Sequence, residues 1–176
     1  MNDEPERVVW EGRFITAKVR GKWEYVGRAR GIHAAVILAI DEHDHVLLVE
    51  QFRVPLGRRC IELPAGLVGD HDDNAGEAAI EAAARELEEE TGYQAGRMEL
   101  IGEFWSSPGM VSESYSLIRA HDLVKVGEGG GTEGENITVH RVPLAALPDF
   151  VAGRRALGDA IDTKLLVVLG PHILGL

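Results

Sequence analysis

Cys60 is the only cysteine in a chain of 176 residues, so no intrachain disulfide can form. It lies in the short apolar run 59–63 and reads as a small buried hydrophobe rather than a nucleophile. No apolar stretch approaches the roughly 18 residues a membrane-spanning helix needs. The N-terminus, MNDEPERVVW, lacks the basic-then-apolar pattern of a secretory signal, so a cytoplasmic location is the default expectation. Positive charge is scarce: 18 Lys and Arg stand against 29 Asp and Glu, a net charge of −11. That balance argues against nucleic acid or an anionic membrane surface as a partner. A small anionic substrate stays compatible, because local cations or metal ions can reverse the field at one site.

What is present is the ordinary mixture of a soluble domain, 45% hydrophobic and 27% charged, long enough to bury a core. The first half reads as strands. Residues 14–20 and 23–28 flank Gly21-Lys22, a hairpin turn. The continuous apolar run HAAVILAID, residues 33–41, suits a strand covered on both faces. A turn at 41–44 and a strand at 45–53 follow, and Pro64, Gly66 and Gly69 punctuate a loop through Asp73. A helix is expected from Ala75 to Thr91, with Asn74 as N-cap, Glu77 completing a capping box and Gly92 as its stop. Ile80, Ala83, Ala84 and Leu87 make its apolar stripe. Strands at 98–105, 112–123 and 136–144, a mobile glycine-rich loop at 126–134, and helices near 144–151 and 156–169 complete the reading. It describes a mixed α/β sandwich with small N-terminal antiparallel strands.

Residues 85–90, Arg-Glu-Leu-Glu-Glu-Glu, place four carboxylates within five positions. Glu86, Glu89 and Glu90 share one helix face, being three and four residues apart. Like charges at that spacing repel by a few tenths of a kcal/mol per pair, a cost that a hard cation removes. Glu88 points about 200° from Glu86, at about 100° per residue, and reads as solvated surface. Arg85 can pair with Glu89 or Glu81. On composition alone the run would be a charged, solvated helix face.

The spacing changes that reading. These residues resemble the Nudix box, Gly-x5-Glu-x7-Arg-Glu-U-x-Glu-Glu-x-Gly-U with U a bulky apolar residue, from Glu77 through Arg85, Glu86, Glu89, Glu90 and Gly92 to Tyr93. The box glycine is displaced: His71 stands where it is expected, and ten residues rather than five separate Gly66 from Glu77. A five-residue insertion in the entering loop accounts for this and leaves the helix unaffected. The resemblance implies a Nudix-type α/β/α sandwich spanning 32–176, with 1–31 as a strand hairpin that contributes to a homodimer. It also implies hydrolysis of a diphosphate bridge with Mg2+ or Mn2+. Glu86 and Glu90 would be the main metal ligands, Glu89 a further ligand or its partner, Arg85 their orienting residue, and the Ala65 carbonyl an additional ligand. Glu77 would support the loop.

Sequence outside the box resembles the ADP-ribose pyrophosphatase subgroup. Pro108, in Ser106-Ser107-Pro108-Gly109, lies sixteen residues past Gly92. The stretches Glu50-Gln51-Phe52-Arg53 and Ile61-Glu62-Leu63-Pro64-Ala65-Gly66, and Glu113 after the Ser-Pro-Gly turn, look like that subgroup too. The resemblance implies that Arg53, Glu62, Pro108 and Glu113 serve substrate binding. It makes Glu133 the general base and Glu135 a further metal ligand, on a loop that swings in over substrate. An adenine needs an aromatic or guanidinium plane, for which Trp23, Tyr25 and Arg53 are candidates, Trp23 acting in a partner subunit's site. Each residue also has a plainer reading: Ser-Pro-Gly as an ordinary turn, Arg53 as strand surface, Trp23 as packing, the loop as solvated acid. The competing functions are cleavage of another nucleoside diphosphate sugar, GDP-mannose-like, and a Nudix-fold module that senses a nucleotide without cleaving it. An inert acidic surface would leave Arg85 and Gly92 unexplained.

Overall fold

The computed structural model describes residues 4–29, 33–68, 78–132 and 134–176. Three strands open the chain, β1 (Arg7–Glu11), β2 (Ile15–Arg20) and β3 (Trp23–Arg28). Then come β4 (His33–Ala39), β5 (His45–Arg53), β6 (Arg58–Glu62), β7 (Ala65–Val68), helix α1 (Ala79–Thr91), β8 (Tyr93–Trp105) and β9 (Ser114–Lys125). The chain closes with β10 (Thr138–Pro143), α2 (Leu147–Ala156), β11 (Ala160–Ile161) and α3 (Leu166–Leu174).

The apolar run at β4 organises the core because both of its faces are covered. Ala35, Ile37 and Ala39 pack on Ala82, Ala83 and Leu87 of α1, while Val36 and Leu38 turn into a second cluster with Leu48, Ile61, Leu117 and Leu147. Strand alternation alone produces that division. Each fully buried Leu, Ile or Val side chain contributes about 1.5–3 kcal/mol, so the two clusters hold the fold without a crosslink. β4 lies in the mixed sheet β7-β4-β9-β8, parallel to β9, and the other mixed sheet runs β10-β5-β6-β11. With α1 on one side and α2 and α3 on the other, the architecture is the expected α/β/α sandwich. Among the described residues, no helix is long and apolar enough to cross a membrane.

The N-terminal hairpin is present as β2 and β3, paired antiparallel, and β1 adds a third strand that its sequence did not announce. Its outer edge docks on the sandwich: Val26 N–H donates to the Met110 carbonyl (3.0 Å), and Ser112 N–H to that of Val26 (2.9 Å).

Elsewhere the structure differs from the sequence expectation. Ala78 is extended, so α1 begins at Ala79 rather than Ala75. Glu81, through its carboxylate, accepts from the Ala78 amide at 3.3 Å, which is the role assigned to Glu77. Asn74 and Glu77 themselves lie outside the described residues. The buried stripe of α1 is Ala82, Ala83 and Leu87, whereas Ile80 is 40% exposed and Ala84 is exposed too. The stripe is rotated because the face shared with Glu86 and Glu90 must also turn inward, and alanines let the helix approach β4 closely. The short apolar run after Arg58 forms β6, and residues 65–68, expected as part of a loop, form β7, paired with β4 despite Gly66. The second C-terminal helix starts ten residues later than expected, at Leu166. A left-handed Gly158 and the pairing of Ala160 and Ile161 beside Cys60 and Ile61 of β6 interrupt the helical pattern there.

Candidate active site

A cavity of about 360 Å3 opens where the end of α1 meets β5, β6 and β7. The alternation of β5 decides which residues of Glu50-Gln51-Phe52-Arg53 reach it. Gln51 and Arg53 line the cavity, while Glu50 turns the other way and binds Arg154 (2.7 Å), His140 (2.8 Å) and Arg59 (3.1 Å). Arg53 donates twice to Glu62 of β6, Nε to Oε1 at 2.6 Å and Nη2 to Oε2 at 2.9 Å. This fork is a charge-assisted pair. It raises the Arg53 pKa, the Glu62 hydrogen bond outweighing burial. Cys60, two residues before Glu62 on the same strand face, is 3% exposed. Burial, with the nearby Glu62 and Asp162 charges, pushes its thiol up to about 12, so it is not a nucleophile.

The box helix delivers Glu86 and Glu90 to this cavity. Glu90 is 5% exposed, and its Oε2 accepts the Ala65 amide at 2.9 Å. Burial pushes its carboxyl up to about 8, with Glu86 and Glu135 adding repulsion against the relief from the Ala65 amide. Burial likewise raises Glu86, opposed by Arg85 and reinforced by Glu89 and Glu135. Gly66 is the counterpart of Glu86: a Cβ there would lie 2.0 Å from Glu86 Cδ, so only glycine lets the carboxylate sit against β7. Arg85 Nη1 donates to Glu86 Oε1 (2.8 Å) and Glu89 Oε2 (3.2 Å). Glu89 is half-buried and does not itself line the cavity, and Glu88 is exposed, bonded to Gln94 at 2.9 Å.

Glu135 also lines the cavity, and with Glu86 and Glu90 makes a set of hard oxygen donors whose mutual repulsion a cation would relieve. The donor chemistry therefore fits a divalent metal ion. Among the described residues, no three Asp, Glu, His or Cys side chains already stand in ligating geometry, so a bound ion would draw these carboxylates together.

The remaining expected residues divide. Glu62 and Glu113 reach the cavity, Glu113 with its Oε1 taken by Arg28 Nε at 2.6 Å. Pro108 does not line it: it forms a turn closed by Met110 N–H to the Ser107 carbonyl (2.9 Å), which leads the chain from Ser106 to Glu113. Trp23 is 53% exposed on the N-terminal sheet and is not brought to Arg53 within one chain. Tyr25 hydrogen-bonds Glu6 instead. Glu133 lies outside the described residues.

Among the charged and aromatic residues of the cavity, Arg28, Tyr115 and Lys164 escaped sequence reasoning. Lys164 comes from the turn before α3, with Nζ 2.7 Å from Asp162 Oδ2 and 5.8 Å from the Tyr115 ring centroid. No local pattern marks a lone lysine near the C-terminus. Arg28 carried a signal in its alternation with Val26 on β3, but only the tertiary docking of that strand brings it to Glu113.

The glycine-rich segment at 126–131 is not a free loop. Val126 and Gly127 amides donate to the Gly92 carbonyl (2.8 and 3.0 Å), Gly130 to that of Glu90 (2.8 Å) and Gly131 to that of Glu89 (3.0 Å). It closes the C-terminal end of α1, whose last carbonyls have no partner within the helix.

The chain is similar to known proteins in sequence and in fold. The NUDIX domain model matches residues 29–160. The ADP-ribose pyrophosphatase of Mycobacterium tuberculosis is 35% identical over 142 residues, 79% of this chain and 64% of that protein. The GDP-mannose pyrophosphatase of Enterobacter sp. strain 638 is 34% identical over 160 residues, 86% of this chain and 77% of that protein. A crystal structure of an ADP compounds hydrolase superposes with a TM-score of 0.69 at 23% identity, covering 97% of this chain and 92% of that one, a likeness of fold. With the box helix in place beside Gly66 and its Glu86 and Glu90 at one cavity, the chain belongs to the Nudix family, as a pyrophosphohydrolase similar to the ADP-ribose pyrophosphatases.

Proposed function

We propose that the protein hydrolyses the diphosphate bridge of a nucleoside diphosphate sugar, ADP-ribose foremost, giving AMP and ribose 5-phosphate. The observation that carries this reading is the mixed lining of one cavity. Glu86, Glu90 and Glu135 act on one another electrostatically there, beside three cations each anchored by its own carboxylate: Arg28 by Glu113, Arg53 by Glu62, and Lys164 by Asp162. A diphosphate needs both kinds of group.

Glu86, Glu90 and Glu135, with Glu89 and the Ala65 carbonyl, would hold Mg2+ or Mn2+. When bound, such an ion neutralises diphosphate charge and lowers the pKa of its water. Arg85 keeps Glu86 and Glu89 oriented. Arg53 and Glu62 bind the nucleotide as a preformed pair, Glu113 contacts substrate from the cavity wall, the Pro108 turn sets the path of the chain to Glu113, and Glu133 takes the proton from the attacking water. Trp23 would stack on the base from a partner subunit. A homodimer joined through the N-terminal strands is consistent with the exposed Trp10, Trp23 and Trp105. A cytoplasmic location completes the reading.

A panel of nucleoside diphosphate sugars assayed for phosphate monoester products, with and without Mg2+, tests it. Selective cleavage of ADP-ribose supports the proposal, whereas indifference to ADP-ribose with turnover of a guanosine or uridine compound overturns the substrate. The GDP-mannose pyrophosphatase relative makes GDP-mannose the second reading. A sensing module is disfavoured because every glutamate of the box is present.

A further inference from the structure

The docked glycine segment ends against a carboxylate of the site. Glu135 Oε2 accepts from the Thr132 amide (2.6 Å) and the Thr132 hydroxyl (3.0 Å), and both bonds fall on this one oxygen. Gly131 leaves the space: at φ +78° a Cβ would lie 2.5 Å from Glu135 Oε2. Just upstream, Gly129 adopts φ +68°, where a Cβ would stand 2.4 Å from the Thr91 carbonyl carbon. Any side chain there would lift the segment from the helix end. The Gly130 and Gly131 amides bind the carbonyls of Glu90 and Glu89, residues whose side chains belong to the same site. The main chain of the last turn of α1 is thus tied to one strip of backbone, and Glu135 hangs from its end.

We propose that residues 129–132 are a positioning segment: docked on the end of α1, it holds the Glu135 carboxylate at the cavity through the Thr132 amide and hydroxyl, with Thr132 as the positioning residue. This deepens the proposed function and rests on its assignment of Glu135 to the cation site. Glycine enrichment here serves close backbone docking rather than a hinge. The hydroxyl matters because a carboxylate left to its own rotamers forfeits the orientation a ligand needs.

The test uses Mn2+ binding to the whole protein without substrate, measured by electron paramagnetic resonance, beside steady-state kinetics. Thr132→Val keeps the shape and the amide but removes the hydroxyl. Mn2+ affinity is expected to fall ~3- to 10-fold and kcat ~10-fold, with KM within about 2-fold. Thr132→Ser should restore both. In a Glu135→Ala background, which removes both the ligand and the acceptor, Thr132→Val should cost nothing further, since the two act as one unit. Gly130 and Gly131 amides should resist hydrogen exchange as the last turn of α1 does. Additive losses in the double variant, wild-type Mn2+ affinity in Thr132→Val, no Mn2+ binding by the wild type, or rapid exchange at Gly130 and Gly131 would each overturn the proposal. A protein that binds Mn2+ with this Thr132 dependence but leaves ADP-ribose intact would refute the substrate and keep the positioning role.

Discussion

The Ala65 amide donates a 2.9 Å hydrogen bond to Glu90 Oε2, joining the first residue of β7 to the last turn of α1. That contact ties the end of the box helix to the start of β7. Glu86 then falls on Gly66, and both carboxylates meet the cavity that β5 and β6 line with Gln51, Arg53 and Glu62.

Glu86→Gln and Glu90→Gln should each lower turnover at least ~100-fold, about 2.7 kcal/mol of barrier. Both variants should fold, because a repulsive buried cluster loses charge, and in Glu90→Gln the side-chain amide oxygen can still accept from the Ala65 N–H. Glu88→Gln, on the exposed side, should retain near-wild-type activity. Thermal melts and kcat on the three variants check this, and an inactive Glu88 variant beside an active Glu86 variant would refute the assignment.

Arg53→Ala should act twice. Glu62, 5% exposed, loses its bidentate partner, at a cost of about 1–3 kcal/mol for an unpaired buried group. KM should rise as well, since the nucleotide contact is made in ground and transition states alike. Adding Glu62→Gln should recover part of the stability and none of the KM. Denaturant melts of the single and double variants separate the two effects.

Asp41 anchors the β4–β5 turn and supplies a pH test away from the site. Burial pushes its carboxyl up, but the His45 and His43 amides (3.0 and 2.9 Å) and Arg141 Nε (2.6 Å) together hold it below the ordinary value of 3.8. With the folded value below the unfolded one, its stabilisation is present above the unfolded value and lost as pH falls through the folded one. Asp41→Asn should therefore cost roughly 1–2 kcal/mol near neutrality. The gap from wild type should shrink in melts taken progressively below the 3.8 reference.

Cys60 should stay unreactive towards a disulfide reagent in the native protein at mildly alkaline pH and react fully once denatured, given its thiol pKa of about 12. Rapid native labelling would contradict its burial. Activity should be insensitive to the reagent.

Legibility follows how local each cause is. β4 announces its double burial through an unbroken apolar run, and β5 its full extent. The phase of the carboxylates follows from helical spacing, so Glu86 and Glu90 separate from Glu88 on sequence alone. The start of α1 and its buried stripe do not, because burial of Ala82 in place of Ile80 depends on what faces the helix. Glycine enrichment at 126–131 suggests freedom and is close docking instead, a difference visible only once Gly129 is seen against Thr91.

By itself the sequence determined the box: which carboxylates share a face, which arginine stands beside them, and that no disulfide supports the fold. Those are matters of spacing along one helix and of residue count. The tertiary structure alone decided which charges meet. Arg28 reaches Glu113 across 85 positions, Lys164 enters from the C-terminal turn, and Gly130 and Gly131 close the end of α1 from a distant segment. Such pairings depend on sheet order and strand docking, and a carboxylate's ionisation depends on burial by distant elements. Glu90, one glutamate among several in the sequence, becomes through that burial the carboxyl pushed up to about 8.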